Sequence, residues 1–345
     1  MLQKIVYTAL QLSIKVLVYG YYQKVLVKGL GTIPKKVPIL FLPNHQNALL
    51  DVLLLGVTCG RKPYFLARSD VFSNPLLSKI FRFIKMIPIY RIRDGRDTLK
   101  KNEDIFETCA KKLHALESVV LFPEGSHNLK RRVRPLSKGF IRIVSKSLSI
   151  NPKLDFYIVP VGFNYKCATY FPDQVAIYYG EPLSIKSFVE NGKIAKPLEL
   201  KEAVANTLKL LTTHIEDEEH YGIRINQLHN KQLNFLNPNE VNTFLKQPCS
   251  TEKIEKIDDS NSIWYYLFLV INFPVILLWR MVIKPKIKEI EFLSTFRFAT
   301  AILGGIVYYT LLLLLGLYWN SLPNALIILS LLMFYNILYI KCMQA

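Results

Sequence analysis

The chain of 345 residues has few cysteines, and their arrangement bears on whether disulfide bonds or a zinc site stabilise the fold. The five cysteines are odd in number and scattered, and none forms a C-x-x-C pair. This pattern argues against a disulfide framework and against a structural zinc site. We therefore expect reduced thiols in a protein that faces the cytosol, and no metal site.

Acidic residues are scarce in the first half of the chain. Residues 1–150 carry 26 lysines and arginines against 9 acidic residues, whereas residues 151–345 carry 18 against 17. The net charge of +18 therefore comes almost wholly from the first half. Such an excess indicates an anionic partner, which could be nucleic acid, a membrane surface or a phosphorylated substrate. Because no known nucleic-acid-binding motif accompanies the basic residues, we expect no nucleic-acid partner.

Charged residues are absent from two stretches near the C-terminus. Residues 263–279 contain none in 17 positions, and residues 298–340 contain none in 43. A Leu-Pro-Asn turn at 322–324 divides the longer stretch into two segments, 298–319 and 322–340, each about as long as a membrane span. Because such stretches exceed ordinary buried helices, residues 261–345 are predicted to form a membrane region.

The charges that flank these stretches predict a topology. Residues 284–297 carry four basic residues and two glutamates, and Lys341 follows the last span. The positive-inside rule places both, together with the basic first half, on the cytosolic side of the cytoplasmic (inner) membrane. The segment 263–279, with Asn272 and Pro274 near its middle, would then be re-entrant or interfacial. The alternative is three full spans with the C-terminus outside.

The first 23 residues predict an amphipathic helix at the membrane interface. They are apolar apart from a narrow stripe at helical spacing formed by Lys4, Thr8, Gln11 and Lys15. No small-residue cleavage site is present, which argues against a signal peptide. The wide apolar arc favours lipid contact, with the lysines reaching the headgroups. The alternative is an ordinary helix packed against the domain core.

Strands alternate with helices over residues 24–215, which is typical of an α/β domain. Residues 216–260 are polar and acidic and are predicted to be an extension or a linker, with a short helix over 238–245. The predicted strands lie at 24–30, 37–42, 64–67, 87–90, 118–122, 156–163 and 175–179, and the predicted helices at 48–57, 97–116, 138–148 and 198–214.

Four segments carry residues suited to chemistry, and the first pairs a histidine with an aspartate. His45 follows an apolar strand, and Asp51 comes six residues later at the start of a predicted helix. Histidine can accept a proton near neutral pH, and a neighbouring carboxylate can fix its tautomer. No serine or cysteine lies between them, so the pair is predicted to activate a substrate hydroxyl directly, without a covalent intermediate. The alternative is a structural histidine with an aspartate near a helix dipole.

The second segment, residues 121–128, suits a phosphate monoester. A strand ends in a turn at Glu124 and Gly125, and His127 lies close enough after it to reach the site. Backbone N–H groups of a glycine turn and nearby cations bind phosphate oxygens. A solvated basic loop is the alternative. The basic residues that follow are Lys130, Arg131, Arg132, Arg134 and Lys138.

The remaining two segments are short apolar strands. Residues 87–94 place Arg91 and Arg93 on one face of a strand, and the guanidinium fork fits phosphate oxygens. Two solvated arginines on an edge strand are the alternative. Residues 158–162, which contain Val159 and Pro160, are predicted to form the floor of a site.

In combination the four segments resemble the sequence blocks of the glycerolipid acyltransferase superfamily, which includes glycerol-3-phosphate and lysophosphatidate acyltransferases. The resemblance covers about residues 24–190. Most members space the block I pair as H-x4-D, whereas this chain has H-x5-D, as in a branch similar to the yeast glycerol-3-phosphate/dihydroxyacetone-phosphate acyltransferases. His45 and Asp51 match block I, Arg91 block II, Phe-Pro-Glu-Gly at 122–125 block III, Val159 and Pro160 block IV, and Lys138-Gly139 a basic–glycine pair that often follows block III.

The resemblance implies an α/β fold with a mixed sheet flanked by helices, and a membrane-bound O-acyltransferase. An acyl thioester of coenzyme A or acyl carrier protein would enter a hydrophobic groove, and no metal or bound cofactor is needed. His45, held by Asp51, would deprotonate the acceptor hydroxyl. Arg91 would grip the acceptor's phosphate, with Glu124 and Gly125 shaping the pocket. Further candidates for contacts to the phosphate or the carrier are Arg68, Arg93, Lys130, Arg134 and Lys138.

The implied acceptor is a glycerolipid precursor of phospholipid synthesis, either 1-acylglycerol 3-phosphate or glycerol 3-phosphate. The implied partners are an acyl thioester donor, this acceptor and the anionic lipids of a membrane surface. Two alternatives stay open from the residues. One is an O-acyltransferase for a lyso-aminolipid, and the other is a non-catalytic membrane-binding module.

Overall fold

An eight-stranded mixed sheet forms the centre of the molecule in the computed structural model, which describes residues 2–90, 100–247, 262–319 and 321–343. Its strands are β1 (Lys24–Lys28), β2 (Ile39–Pro43), β3 (Tyr64–Arg68), β4 (Met86–Ile89), β5 (Ser118–Val120), β6 (Tyr157–Tyr165), β7 (Gln174–Tyr179) and β8 (Leu183–Ser184). Their order is β1-β7-β6-β2-β5-β3-β4, with β8 paired to β6 off this path. A separate ribbon pairs β9 (Val189–Glu190) with β10 (Lys193–Ile194).

Five neighbouring strands run parallel, which brings their carboxyl ends to one edge of the sheet. β6, β2, β5, β3 and β4 share one direction, and β7 and β1 run the opposite way. The central strand β2 is buried at all five positions, as expected for a parallel strand covered on both faces. Ligands of such sheets bind outside the carboxyl ends of the strands, so this edge is where a site is expected.

Helices cover both faces of the sheet. The side chains of β2 alternate between two cores: Phe41 packs in the core under α1 and α2, and Leu40 and Leu42 pack in the core under α4, α5 and α6. The helices of the first face are α1 (Leu2–Tyr21), α2 (Ala48–Thr58) and α3 (Pro75–Phe83). Those of the second face are α4 (Lys101–His114), α5 (Gly139–Ile150) and α6 (Pro197–Leu211). The predicted α/β fold is therefore confirmed, with α3 as an element that the sequence patterns missed.

The polar segment after α6 folds as an extension packed against the α/β domain. Helices α7 (Tyr221–Asn230) and α8 (Pro238–Leu245) enclose a small apolar core with the chain between them. The predicted short helix over 238–245 is confirmed, with Pro238 in its first turn. The Arg131 guanidinium lies 3.7 Å from the Phe235 ring and ties this unit to the domain. The rest of the predicted linker, from residue 248, lies outside the described residues.

Two residues of the polar stripe of helix α1, Thr8 and Gln11, bind the domain, whereas Lys15 is exposed. The side-chain amide of Gln11 donates to the Gly56 and Arg61 carbonyls at 2.7 and 3.1 Å. Lys62 donates to the Thr8 hydroxyl at 2.5 Å. The outer face is apolar and exposed, and it includes Ile5, Leu12 and Val16. The helix thus exposes the kind of surface that lipid covers, while its polar groups fasten it to α2 and to the loop after α2.

Two C-terminal helices are long and apolar enough to span a membrane. They are Ile290–Trp319, 30 residues, and Leu322–Cys342, 21 residues. Within them lie α11 (Leu293–Trp319) and α12 (Leu322–Leu338), followed by a π-helical turn at Tyr339–Met343. The predicted pair of C-terminal membrane helices is therefore confirmed in length and composition.

The third apolar stretch is bent. Helix α9 (Ile263–Ile271) meets the continuous helical segment Phe273–Lys286, which begins with α10 (Phe273–Leu277), at an angle of 88°. At the bend, the side-chain amides of Asn272 and Asn336 exchange hydrogen bonds of 2.8 and 3.0 Å. Paired amides of this kind fix helices against one another in an apolar surrounding. The bend fits either a broken span or a re-entrant segment, so the re-entrant or interfacial segment stays a prediction.

Helices α11 and α12 form a helical hairpin, and both of its ends contact the α/β domain. At the start of α11, Arg297 donates to the Thr169 carbonyl at 2.9 Å. After α12, the Lys341 ammonium donates to the Tyr19 and Tyr22 carbonyls at 2.5 and 2.6 Å. Lys341 therefore caps the C-terminus of α1, where a cation meets the negative end of the helix dipole.

This arrangement predicts that the C-terminus and the α/β domain lie on the same side of the membrane. We expect a protease-cleavable tag placed after Ala345 to be cut from the side that also exposes the domain. As the control, the same tag inserted at Ser321, in the turn between α11 and α12, should be cut only from the other side. A C-terminal tag that is cut only from the side opposite the domain would instead establish three spans.

Candidate active site

The carboxyl edge of the sheet gathers the candidate residues from separate parts of the chain. His45 follows β2, Glu124 follows β5, and the end of β6 lies beside them because β6 pairs in register with β2. Val159 and Pro160 are buried in β6, opposite Phe41 and Leu42 of β2. The sequence predicts these two residues as the floor of a site, and this role stays a prediction.

The predicted histidine and aspartate of block I are in direct contact. His45 Nδ1 lies 2.8 Å from Asp51 Oδ2. The H-x5-D spacing therefore allows the contact, and Ala48, the first residue of α2, has a positive φ of 38° that non-glycine residues seldom adopt. The backbone N–H groups of Gln46 and Asn47 both donate to Asp51 Oδ2 at 2.8 Å. The loop is thus wrapped around the carboxylate.

Tyr165 completes the surroundings of Asp51, and the sequence analysis missed it. Its hydroxyl donates to Asp51 Oδ1 at 2.5 Å, and both side chains are almost fully buried. The carboxylate therefore receives hydrogen bonds from one imidazole, two backbone amides and one phenol, which replace the water that burial removes. Tyr165 ends β6 six residues after Val159, and only the pairing of β6 with β2 reveals that it reaches block I.

The His45 ring is held on two sides while its outer nitrogen faces away from Asp51. It stacks on Phe122 with ring centroids 3.9 Å apart and meets the edge of His127 at 5.6 Å. The His45 carbonyl accepts a hydrogen bond from the Asn128 N–H at 3.0 Å. The His45 side chain is 14% exposed, so Nε2 is the ring nitrogen left for a substrate.

Glu124 of block III forms a nearly buried ion pair with Arg134. Arg134 Nη2 and Nε lie 2.7 and 2.8 Å from Glu124 Oε2, and Arg134 Nη1 donates to the Ser126 hydroxyl at 2.7 Å. Burial raises the pKa of Glu124 to about 7, the charge of Asp51 adds to this rise, and Arg134 opposes it. Gly125 sits at the turn with a φ of +75°, which glycine adopts without strain. Arg134 therefore braces the block III turn.

The other residues predicted to contact phosphate lie in separate parts of the structure. Arg68 ends β3 at the same edge and pairs with Asp70. Lys130 faces the extension, with its ammonium 3.9 Å from Glu218. Lys138 is exposed at the N-terminus of α5. Arg91 and Arg93 lie outside the described residues.

His127 connects this site to the membrane region. Its Nε2 lies 3.1 Å from Glu289 Oε2, and its ring meets the edge of Phe292 at 4.7 Å. Its side chain is 10% exposed, and burial lowers its pKa below the usual value, against the opposing effect of Glu289. The sequence placed His127 near the site, but nothing in the sequence indicates its partners 160 residues away.

Comparison with known proteins finds a family model and several relatives. Residues 24–164 match the family model described as Acyltransferase. The 1-acyl-sn-glycerol-3-phosphate acyltransferase BAT2, chloroplastic, of Brassica napus is 27% identical over 131 residues, covering 38% of this chain and 36% of that protein. Tafazzin of Drosophila melanogaster is 25% identical over 219 residues, covering 57% and 52%. Glycerol-3-phosphate O-acyltransferase 2 of Saccharomyces cerevisiae is 23% identical over 199 residues, covering 55% and 25%.

Among solved structures, the chain is similar to the 1-acyl-sn-glycerophosphate (LPA) acyltransferase PlsC of Thermotoga maritima. The identity is 20%, the match covers 60% of this chain and 78% of that chain, and the TM-score is 0.44. This chain spans between a quarter and about half of the length of the three curated relatives.

The matched family segment contains all four blocks that the sequence analysis identified, from His45 to Pro160. The fold around them is the expected mixed sheet flanked by helices. The match of residues 24–164 to the acyltransferase family model and the named relatives support the glycerolipid acyltransferase superfamily, which the sequence blocks resemble.

Proposed function

We propose that this protein is a membrane-bound O-acyltransferase that transfers a fatty acyl group from an acyl thioester to a hydroxyl of a phosphate-bearing glycerolipid precursor. The observation that carries the proposal is the contact between His45 and Asp51 at the carboxyl edge of an acyltransferase domain. The acceptor class follows the relatives named for 1-acylglycerol 3-phosphate and glycerol 3-phosphate. The two apolar C-terminal helices support attachment to a membrane.

In the proposed reaction, His45 acts as a general base. Its Nδ1 is engaged by Asp51, so Nε2 accepts the proton of the acceptor hydroxyl while that oxygen attacks the thioester carbonyl. The Asp51 carboxylate stabilises the imidazolium that forms. When the tetrahedral intermediate collapses, the C–S bond breaks and the imidazolium returns the proton to the leaving thiolate. The products are the acyl ester and the free thiol of the carrier.

The proposal also assigns the residues that bind the acceptor's phosphate, the acyl donor and the side of the membrane on which the domain lies. We assign the acceptor's phosphate to Arg91, because it matches the block II arginine of the superfamily that the sequence resembles. Arg93 and Arg68 are further candidates for this contact, and Arg68 ends β3 at the same edge as His45. Glu124, Arg134 and Gly125 would shape this pocket from the block III side. The donor would be acyl-coenzyme A or acyl carrier protein, and the domain would lie on the cytosolic face of the cytoplasmic membrane.

Replacement of the proposed base should abolish catalysis without unfolding the protein. We expect His45→Ala to lower kcat/KM by about 10³-fold or more, because general base catalysis at this position is lost. The measurement is thiol release from acyl-coenzyme A and from acyl carrier protein in liposomes, with glycerol 3-phosphate, 1-acylglycerol 3-phosphate and a lyso-aminolipid assayed in parallel.

The matched control is His220→Ala, which removes an exposed histidine bound only to Asp217 among the described residues. It should keep wild-type rates. Wild-type turnover by the His45 variant would exclude a role for His45 in the reaction. No transfer by the wild-type protein to any of the three acceptors would favour the non-catalytic membrane-binding module.

Loss of the Tyr165 hydroxyl should slow the reaction while substrate binding is kept. Tyr165→Phe retains the ring but leaves Asp51 Oδ1 without its phenol donor, so we expect kcat to fall about tenfold with little change in the KM for either substrate. Tyr178→Phe is the matched control, since Tyr178 donates to the Leu236 carbonyl, away from Asp51. Equal effects of the two substitutions would show that Tyr165 has no special role toward Asp51.

The buried Glu124 should make stability depend on pH. Its pKa is raised from 4.5 to about 7 on folding, so the folded state binds the proton more tightly than the unfolded state. The resulting stabilisation, at most about 3 kcal/mol, is fully present below pH 4.5 and is lost as the pH rises through 7. Glu124→Gln should therefore lose less thermal stability than the wild type between pH 5 and pH 8.

The check is thermal unfolding of both proteins in detergent across this pH range. Other titrating groups, such as Asp173 with a pKa of about 6, contribute equally to both proteins and cancel in the comparison. Glu219→Gln, which changes an exposed carboxyl, should follow the wild-type curve. Parallel curves for Glu124→Gln and the wild type would refute the raised pKa.

A further inference from the structure

A short segment that leads into the membrane hairpin lies against the active site. We define the docking segment as residues 289–297, which comprises Glu289, the 3-10 helix Ile290–Phe292 and the first turn of α11. Glu289 and Phe292 contact His127. His127 in turn meets the edge of the His45 ring at 5.6 Å. A chain of contacts thus runs from the membrane region to the proposed base in two steps.

The docking segment is also fastened on the other side of His45. The Ala168 carbonyl accepts hydrogen bonds from the Ser294 hydroxyl at 2.5 Å and from the Asn47 side-chain amide at 3.4 Å. Asn47 belongs to the loop that wraps Asp51, since its backbone N–H donates to that carboxylate. One carbonyl therefore joins the start of α11 to the block I loop.

The contact at His127 is more than an exposed ion pair. Such pairs contribute little by themselves, and Glu289 is 55% exposed. The His127 side chain, however, is only 10% exposed and lies between the Phe292 ring and the His45 ring. The next residue, Asn128, donates its backbone N–H to the His45 carbonyl. A shift of His127 would therefore move the block III turn relative to the proposed base.

We propose that the membrane region completes the active site and that His127 is a positioning residue through which it does so. Glu289 and Phe292 hold His127, and His127 fixes the block III turn against His45. The docking segment then forms the membrane-side wall of the site, so the acyl acceptor binds between the catalytic domain and the base of the hairpin. The expected effect on kinetics rests on the proposed acyl transfer. The hold of the docking segment on the block III turn does not depend on that function.

The first test is a double-mutant cycle on acyl transfer by the full-length protein in liposomes. Glu289→Gln and His127→Gln should each lower kcat/KM for the acceptor about fivefold, with the KM for the acyl donor unchanged. The double variant should be no worse than the worse single variant, because both substitutions break the same contact. Glu107→Gln is the matched control, since it breaks an exposed ion pair with Lys111 on α4, outside the docking segment, and it should keep wild-type kinetics.

The second test does not need activity. Amide hydrogen exchange at residues 125–128 should be faster in Glu289→Gln than in the wild type and unchanged in Glu107→Gln. Unchanged exchange in Glu289→Gln would overturn the coupling. Two results would overturn the positioning role of His127. One is faster exchange in Glu289→Gln with wild-type kinetics, and the other is that the kinetic effects of Glu289→Gln and His127→Gln add in the double variant. If the wild-type protein transfers no acyl group, the proposed function fails, and the exchange result alone decides whether the membrane region holds the block III turn.

Discussion

The burial of the Asp51 charge is the constraint on which the site depends. A carboxylate with no exposed surface must receive hydrogen bonds from the protein, because the free energy lost with its hydration is otherwise not recovered. Four donors from two segments supply them: His45 and the amides of Gln46 and Asn47 in the block I loop, and Tyr165 at the end of β6. The same bonds fix the His45 tautomer, the loop before α2 and the end of β6. Each of these donors therefore contributes both to the local geometry of the site and to the proposed chemistry.

The sheet places these donors within reach of each other. Parallel strands bring block I and block III to one edge, and the in-register pairing of β2 with β6 brings Tyr165 to Asp51. Antiparallel pairing at either position would have sent one of these segments to the opposite edge. The membrane hairpin then rests on this same edge through Ser294 and Arg297. The active site and the membrane attachment are therefore neighbours because of the strand order.

The basic excess of the first half has more uses than ligand binding. Arg134 braces the block III turn through Glu124, and Arg68 pairs with Asp70. Arg131 donates to the Tyr165 and Lys166 carbonyls at 2.9 Å each and stacks on Phe235. The Arg134 and Arg131 guanidinium groups satisfy buried acceptors, and that of Arg131 also joins the extension to the domain. Only part of the net charge of the first half is thus free to face an anionic substrate or a membrane surface.

The sequence by itself indicated the resemblance to the superfamily, the α/β class, the pairing of His45 with Asp51, and the two apolar helices. It could do so because these features are local: they depend on the spacing of residues within one segment and on runs without charge. Tertiary structure alone decided that Tyr165 donates to Asp51, that Arg134 binds Glu124 rather than solvent, and that Glu289 reaches His127. These contacts join residues on different elements, and no periodicity encodes them. They exist because strand pairing and helix docking bring distant polar groups together where water is excluded and each needs a partner.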